Sequence, residues 1–200
     1  MDQVEDARDG AGFDSVVDSA VGGDRAALGV LLARVHPLIV RYCRSRLSAG
    51  HRSLSTADDV AQEVCMAVVT ALPTYRRDGR PFLAFVYGIA AHKVVDAHRA
   101  AGRSKSIPVA DVPETTSNDL GPEQNAVDAS VAGTMASLLG TLPPTQQEIL
   151  RLRVAVGLSA EETADALGMT AGAVRVAQHR ALTKLRTVLE SNHSLLEQVV

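Results

Sequence analysis

The sequence predicts an all-α protein: two small helical domains joined by an acidic linker that contains proline, the second domain a helix-turn-helix. Three observations predict it. Apolar residues recur at helical spacing over most of the chain, and nowhere does alternation with period two run long enough to argue a strand. The stretch 106–128, SIPVADVPETTSNDLGPEQNAVD, holds three prolines, five acids and no aromatic residue, the composition of a linker rather than of a packed element. Finally, the segment 157–186, GLSAEETADALGMTAGAVRVAQHRALTKLR, reads as two helices broken at Gly168, with four basic residues and no acid in its second half. A chain of 200 residues with no Trp, three Tyr and three Phe can hold one or two small aliphatic cores. The divisions that follow are a first domain at 13–105, a linker at 106–129 and a second domain at 130–192.

In the first domain Leu28, Leu31, Leu32 and Val35 form a helical stripe, which Pro37 is expected to interrupt or kink before Ile39, Tyr42, Cys43 and Leu47 resume it. Thr56 to Leu72 reads as a second long helix with acids in its first turn, where the helix dipole favours them. Pro81 opens a third, ending at Gly102. In the second domain Ser159 and Glu162 have the spacing of a capping box, so a helix begins near Ala160. Gly168 ends it in a left-handed conformation, and Thr170 caps the next helix ahead of Ala171 and Gly172. On that last helix Val174, Ala177 or Ala181, and Leu185 face inward. Arg175 and His179 lie one turn apart, as do Val176 and Arg180, so both pairs point outward together, with Lys184 a turn further on. A small, basic outer face on the second of two short helices suits entry into the major groove. An ordinary helical hairpin with a solvated basic face is the bland alternative.

The formal net charge is only -3, yet it is unevenly spread. Residues 1–24 carry seven acids against Arg8, Arg25 to Arg52 hold six arginines and no acid, and Tyr75 to Lys105 hold seven basic residues against two acids. Basic blocks separated by acidic ones act on a polyanion locally, within a Debye length. No run of eighteen apolar residues exists and the N-terminus is acidic, so a soluble, cytoplasmic chain without direct membrane insertion is expected. Cys43 and Cys65 stand far apart with no Cys/His cluster near them, and buried thiols are the expectation. No metal or cofactor is expected. Nor is an enzyme: phosphate-binding glycine loops, nucleophile elbows and zinc motifs are lacking, and the adjacent Asp58 and Asp59 point about 100° apart on a helix, too divergent to share a metal.

Two features of the first domain go beyond core building. Tyr75, Phe82, Phe85 and Tyr87 cluster beside Arg76, Arg77 and Arg80, and aromatic faces among arginines suit unstacked bases and their phosphates. Phe82 and Phe85, three apart on a helix, read better as core, leaving Tyr75, Tyr87 and the RRDGR loop as the ligand candidates. Asp58, Asp59, Gln62 and Glu63 form a polar, acidic stripe, which taken alone is more often a solvated surface than a docking site.

Three segments in order, DDVAQEV (58–64), TYRRDGRPFLAFVYGIAAHKVVDAHRAAGR (74–103) and LPPTQQEILRLRVAVGLSAEETADALGMTAGAVRVAQHRALTKLR (142–186), resemble the extracytoplasmic-function, or group IV, sigma factors of bacterial RNA polymerase, and within them the actinobacterial sigma factor D subgroup. The resemblance implies that Asp58, Asp59, Gln62 and Glu63 dock on core RNA polymerase. It implies that the loop from Thr74 to Pro81 and the following helix, with Tyr75, Arg76, Arg77, Arg80, Tyr87, Lys93, Arg99 and Arg103, bind and open the downstream promoter element, flipping a base from the stack. The helix-turn-helix, through Thr170, Ala171, Gly172, Arg175, Val176, His179, Arg180 and Lys184, would read the upstream element. The family also implies an anti-sigma factor as partner, and a linker threading the polymerase's RNA channel. Many relatives carry Trp where Phe85 stands and a basic residue where Ala177 stands, which leaves melting strength and an upstream contact at Ala177 open.

Two different reading heads on one chain read an asymmetric site and so define a direction, whereas a dimeric helix-turn-helix protein reads a palindrome. A linker of about 25 residues at up to ~3.3 Å each spans ~80 Å, enough for elements two DNA turns, or roughly 70 Å, apart. The competing reading is a free-standing helix-turn-helix repressor or activator that binds its operator alone.

Overall fold

A computed structural model describes residues 10–47, 54–76, 81–104 and 133–191, and among them all regular structure is helical. In chain order these are α1 (Gly10–Val21), α2 (Arg25–Leu47), α3 (Leu54–Ala71) with a 3-10 turn at Leu72–Thr74, α4 (Phe82–Ser104) and α5 (133–140). Then come α6 (Pro144–Leu150), which widens into a π-helical segment (Arg151–Val156), α7 (Ala160–Leu167) and α8 (Ala171–Ser191). The linker expected at 106–129 lies outside the described residues.

Asp24 starts α2 by accepting hydrogen bonds from the Ala26 and Ala27 amides at 2.8 and 3.2 Å. The expected interruption at Pro37 does not occur: α2 runs through it as one helix. Proline forfeits one backbone bond and crowds the carbonyl four residues back, but Val35 and Leu38 to either side, with Leu31, Ile39, Tyr42 and Cys43, bury the same face and hold the segment in place. α2 is the one described helix long and apolar enough to cross a membrane, and in this structure that apolar face is the centre of the core. The expectation of acids in the first turn of the second helix is also corrected. α3 starts at Leu54, so Asp58 and Asp59 fall in its second turn, and Asp58 pairs instead with Arg44 of α2 at 3.0 Å.

Val17 and Ala20 of α1, Ala61, Val64 and Val68 of α3, and Val86, Ala90 and Val94 of α4 close around α2. α1, which the sequence did not mark as a helix, covers one side of this bundle. Cys43 is fully buried; burial foremost, then Cys65 and Asp58, pushes its thiol up to about 12, so it stays protonated and unreactive near neutrality. Cys65 is only half-buried, less than expected, and burial raises its thiol too.

The second half forms where expected. Ser159 Oγ accepts from the Glu162 amide at 3.0 Å while the Glu162 carboxylate accepts from the Ser159 amide at 2.6 Å, completing the capping box. Gly168 ends α7 at φ +67°, a conformation that a Cβ would strain. Thr170 Oγ1 then accepts from the Ala173 amide at 3.2 Å and starts α8. Ile149, Ala160, Ala164 and Val174 make one small cluster, and Leu142, Leu150 and Ala181 another. Leu152, Val156 and Leu158, from the π-helical segment and the turn after it, join the large cluster of the first half instead. The two halves therefore share a core, an arrangement their separate sequence patterns did not announce.

Candidate functional site

Three surfaces carry the residues picked out by sequence. The first is the outer face of α3. Asp59, Gln62 and Glu63 are exposed, Asp58 is half-buried against Arg44, and Glu63 pairs with Lys93 of α4 at 3.2 Å. One and two turns on, the same face exposes Met66 (62%) and Val69 (37%), a pair that reads as core within VCMAVV and that only the register of packed Val64 and Val68 turns outward. The surface is thus acidic at one end and apolar at the other.

The second surface is the turn before α4 and α4 itself, where the structure corrects the choice of aromatics. Tyr75 and Tyr87, expected to be open to ligand, are buried, while Phe82 is buried as expected and Phe85 is partly buried against the same core. The 3-10 turn sends Tyr75 inward, with its ring 5.3 Å from Phe82 and 5.1 Å from Phe85, and Phe13 of α1 stands 6.0 Å from Phe82. Such tilted and edge-on contacts add to the area each ring removes from water. Tyr87 packs on Tyr42 of α2 at 5.4 Å, and burial foremost, then the Glu162 charge of α7, raises its phenol. Arg76 is exposed and, among the described residues, donates to the carbonyls of Pro73 and Tyr75 in its own turn, each at 3.2 Å. Lys93 and Arg99 are engaged by Glu63 and by Asp96, both in solvent-accessible pairs that contribute little to stability. Arg77 and Arg80 lie outside the described residues, as does the side chain of Arg103.

The third surface is α8. Gly172, Arg175, Val176, His179, Arg180 and Lys184 are all exposed, Ala171 is half-buried, and Thr170 serves as the cap. Val174 and Ala181 anchor the opposite face with no exposure. Arg175 pairs with Glu161 of α7, whose carboxyl is lowered first by its own backbone amide and then by Arg175. The Lys184 ammonium donates to the Thr141 carbonyl. α8 therefore has an aliphatic anchoring face and a cationic outer face. Among the described residues no three His, Cys, Asp or Glu side chains converge as a metal site.

A further group was not anticipated. Glu148 of α6 accepts from the Tyr42 hydroxyl at 2.6 Å and from Arg46 at 2.8 Å, joining the two halves. Its only trace in the sequence is a lone acid against Ile149 and Leu150.

Residues 31–104 match the family described as Sigma-70 region 2, and residues 138–187 match Sigma-70, region 4. The extracytoplasmic-function RNA polymerase sigma factor SigD of Mycobacterium tuberculosis (strain ATCC 25618 / H37Rv) is 60% identical over 177 residues, 88% of this chain and 84% of that one. The corresponding factor ShbA of Streptomyces griseus is 53% identical over 184 residues, 88% of this chain and 94% of the other. In the solved structure of CnrH in complex with the cytosolic domain of CnrY, the similar chain shows 26% identity and a TM-score of 0.61, covering 88% of this chain and 96% of that one.

Proposed function

Because the chain belongs to the extracytoplasmic-function sigma factors, we propose that it binds core RNA polymerase and directs it to promoters, reading two elements and helping to open the downstream one. The observation that carries this is the presence, in order, of a region 2 match and a region 4 match on one chain. A free-standing repressor would leave the first without a purpose. In this reading the first domain, about 13–105, docks and opens, the second, about 130–192, reads the upstream element, and neither catalyses.

Asp58, Asp59, Gln62 and Glu63 are the docking residues, supported by the exposed Met66 and Val69 that extend their face. Arg76, Lys93 and Arg99, with Arg77, Arg80 and Arg103, hold the phosphates of the downstream element, and Tyr75 and Tyr87 shape the floor beneath them. Arg175, Val176, His179, Arg180 and Lys184 face the upstream element, while Thr170, Ala171 and Gly172 bring the helix N-terminus to the backbone. The partners are core polymerase, promoter DNA and an anti-sigma factor, the last supported by the CnrH complex with CnrY. Such a protein works in the cytoplasm, where promoters are. The test is comigration of the full chain with core RNA polymerase on a sizing column: a stoichiometric peak supports the reading, and separate elution defeats it.

Within α8 the exposed cations divide by position. Arg175→Ala is expected to relax base preference in the upstream element, with a loss of roughly 1–3 kcal/mol on the preferred sequence only. Lys184→Ala, nearer the helix end, weakens binding to all sequences alike and flattens the salt dependence. Affinities across a panel of single-base promoter variants check this, and identical profiles for the two variants refute the division.

A further inference from the structure

The outer face of α8 is cationic at its rim and apolar at its centre. With about 100° of rotation per residue, Val176 lies roughly 160° around the helix from Val174 and 140° from Ala181, the two residues that anchor α8 with no exposure. It therefore projects furthest from the core, and it is 52% exposed. His179 and Arg180, both exposed, flank it one turn on, roughly 60° and 40° to either side. Arg175, next to it, reaches across to Glu161 of α7. One turn before Val176, Gly172 leaves the surface bare, although a Cβ there would meet nothing within 4 Å in the protein. Leu182, also exposed at 47%, lies about 120° around the helix from Val176, outside this rim.

The fold does not require this arrangement. A valine left in solvent gains nothing from burial, and its branched Cβ makes it a poorer helix former than the Ala, Arg and Lys residues of the same helix. Gly172 is poorer still. A bare turn leading to a forward aliphatic group suits a surface that a ligand approaches closely, and the rim of cations makes that ligand a polyanion. In its major groove duplex DNA displays hydrogen-bonding edges and one apolar group, the C5 methyl of thymine. Valine has no side-chain donor or acceptor, so of these features it can recognise only the methyl.

Resting on the reading of α8 as the upstream head, we propose that Val176 selects thymine at one position of the upstream element by packing on its C5 methyl, and that Gly172 keeps the leading turn bare so that the helix seats deeply enough to reach it. Arg175, His179 and Arg180 hold the helix against base edges and phosphates on either side, while valine and methyl expel water from between them. This contact carries sequence information without a charge, so it persists as salt rises and the phosphate contacts weaken.

The test uses the full chain bound to core RNA polymerase, and duplex DNA that this complex selects from a pool with randomised upstream sequence. Each thymine of the selected upstream element is replaced in turn by deoxyuridine, which removes the methyl and leaves every hydrogen-bonding group of the base pair in place. At one position the native complex is expected to lose about fourfold in affinity, the value of one buried methyl, and by the same factor at low and high salt. Val176→Ala binds the thymine duplex at least as weakly as that and no longer distinguishes thymine from deoxyuridine there, so the two losses do not add. Lys184→Ala weakens binding yet keeps the full response to deoxyuridine. Gly172→Leu loses affinity and the response together, although leucine strengthens the helix. An upstream element without thymine, native affinity unmoved by every deoxyuridine, or equal deoxyuridine losses in the native and Val176→Ala complexes would each overturn the proposal while leaving α8 as the upstream head. Selection that returns no upstream preference at all removes that reading of α8, and the proposal falls with it.

Discussion

Reversing Asp59 and Glu63 together to lysine abolishes binding to core RNA polymerase, by a hundredfold or more, and leaves the helical circular dichroism unchanged. Both carboxylates are exposed, and the Glu63 pair with Lys93 has side chains 54% and 36% exposed, so the fold loses little with it. An interface matched in charge responds differently, because like charges brought together as water is expelled cost several kcal/mol. The face also holds Met66 and Val69, whose burial by the partner excludes water and strengthens the charged contacts nearby. Titration of labelled core with each variant measures the effect. Native affinity in the double variant would return the stripe to a solvated surface and leave docking to residues elsewhere.

Tyr75→Ala lowers stability by about 3 kcal/mol, toward the cost of emptying an aromatic site in a core, whereas Tyr75→Phe keeps most of it. The ring contacts Phe82 and Phe85, is only 6% exposed, and fixes the turn from which Arg76 projects. Defective strand opening in Tyr75→Ala would therefore report a collapsed turn as much as a lost base contact. Arg76→Ala is the cleaner probe of opening, since its guanidinium is exposed and, among the described residues, bonds to carbonyls of its own turn. Urea denaturation of the three variants checks this. A Tyr75→Ala chain as stable as the native one would show that the ring does not support the core and would restore it as a free stacking platform.

What the sequence revealed follows from the range of each interaction. The capping box at Ser159 and Glu162, the left-handed Gly168 and the cap at Thr170 are made by residues within four positions of one another, so their pattern is readable directly. The exposed face of α8 follows from them, because inward Val174 and Ala181 set the register for Arg175, His179 and Arg180. The continuity of α2 through Pro37 could not be read this way, since tertiary packing on both sides of the proline outweighs its local cost. Nor could the aromatics be sorted. That Tyr75 turns inward depends on a 3-10 turn and on Phe82, which in turn packs on Phe13 from about seventy residues earlier in the chain. The seam between the two halves was least legible, because Tyr42 and Glu148 meet across a sequence separation of 106 residues and no local pattern pairs them.

The central claim is that this chain gives polymerase a choice of promoter. Its most direct measurement is transcription in vitro by core RNA polymerase on fragmented bacterial genomic DNA, with and without the full chain, the RNA 5′ ends being mapped by sequencing. The predicted result is a set of start sites that appear only with the chain and share two upstream sequence elements about two helical turns apart, the upstream one altered in preference by Arg175→Ala. No chain-dependent start sites, together with binding of the chain alone to palindromic DNA, would contradict the account.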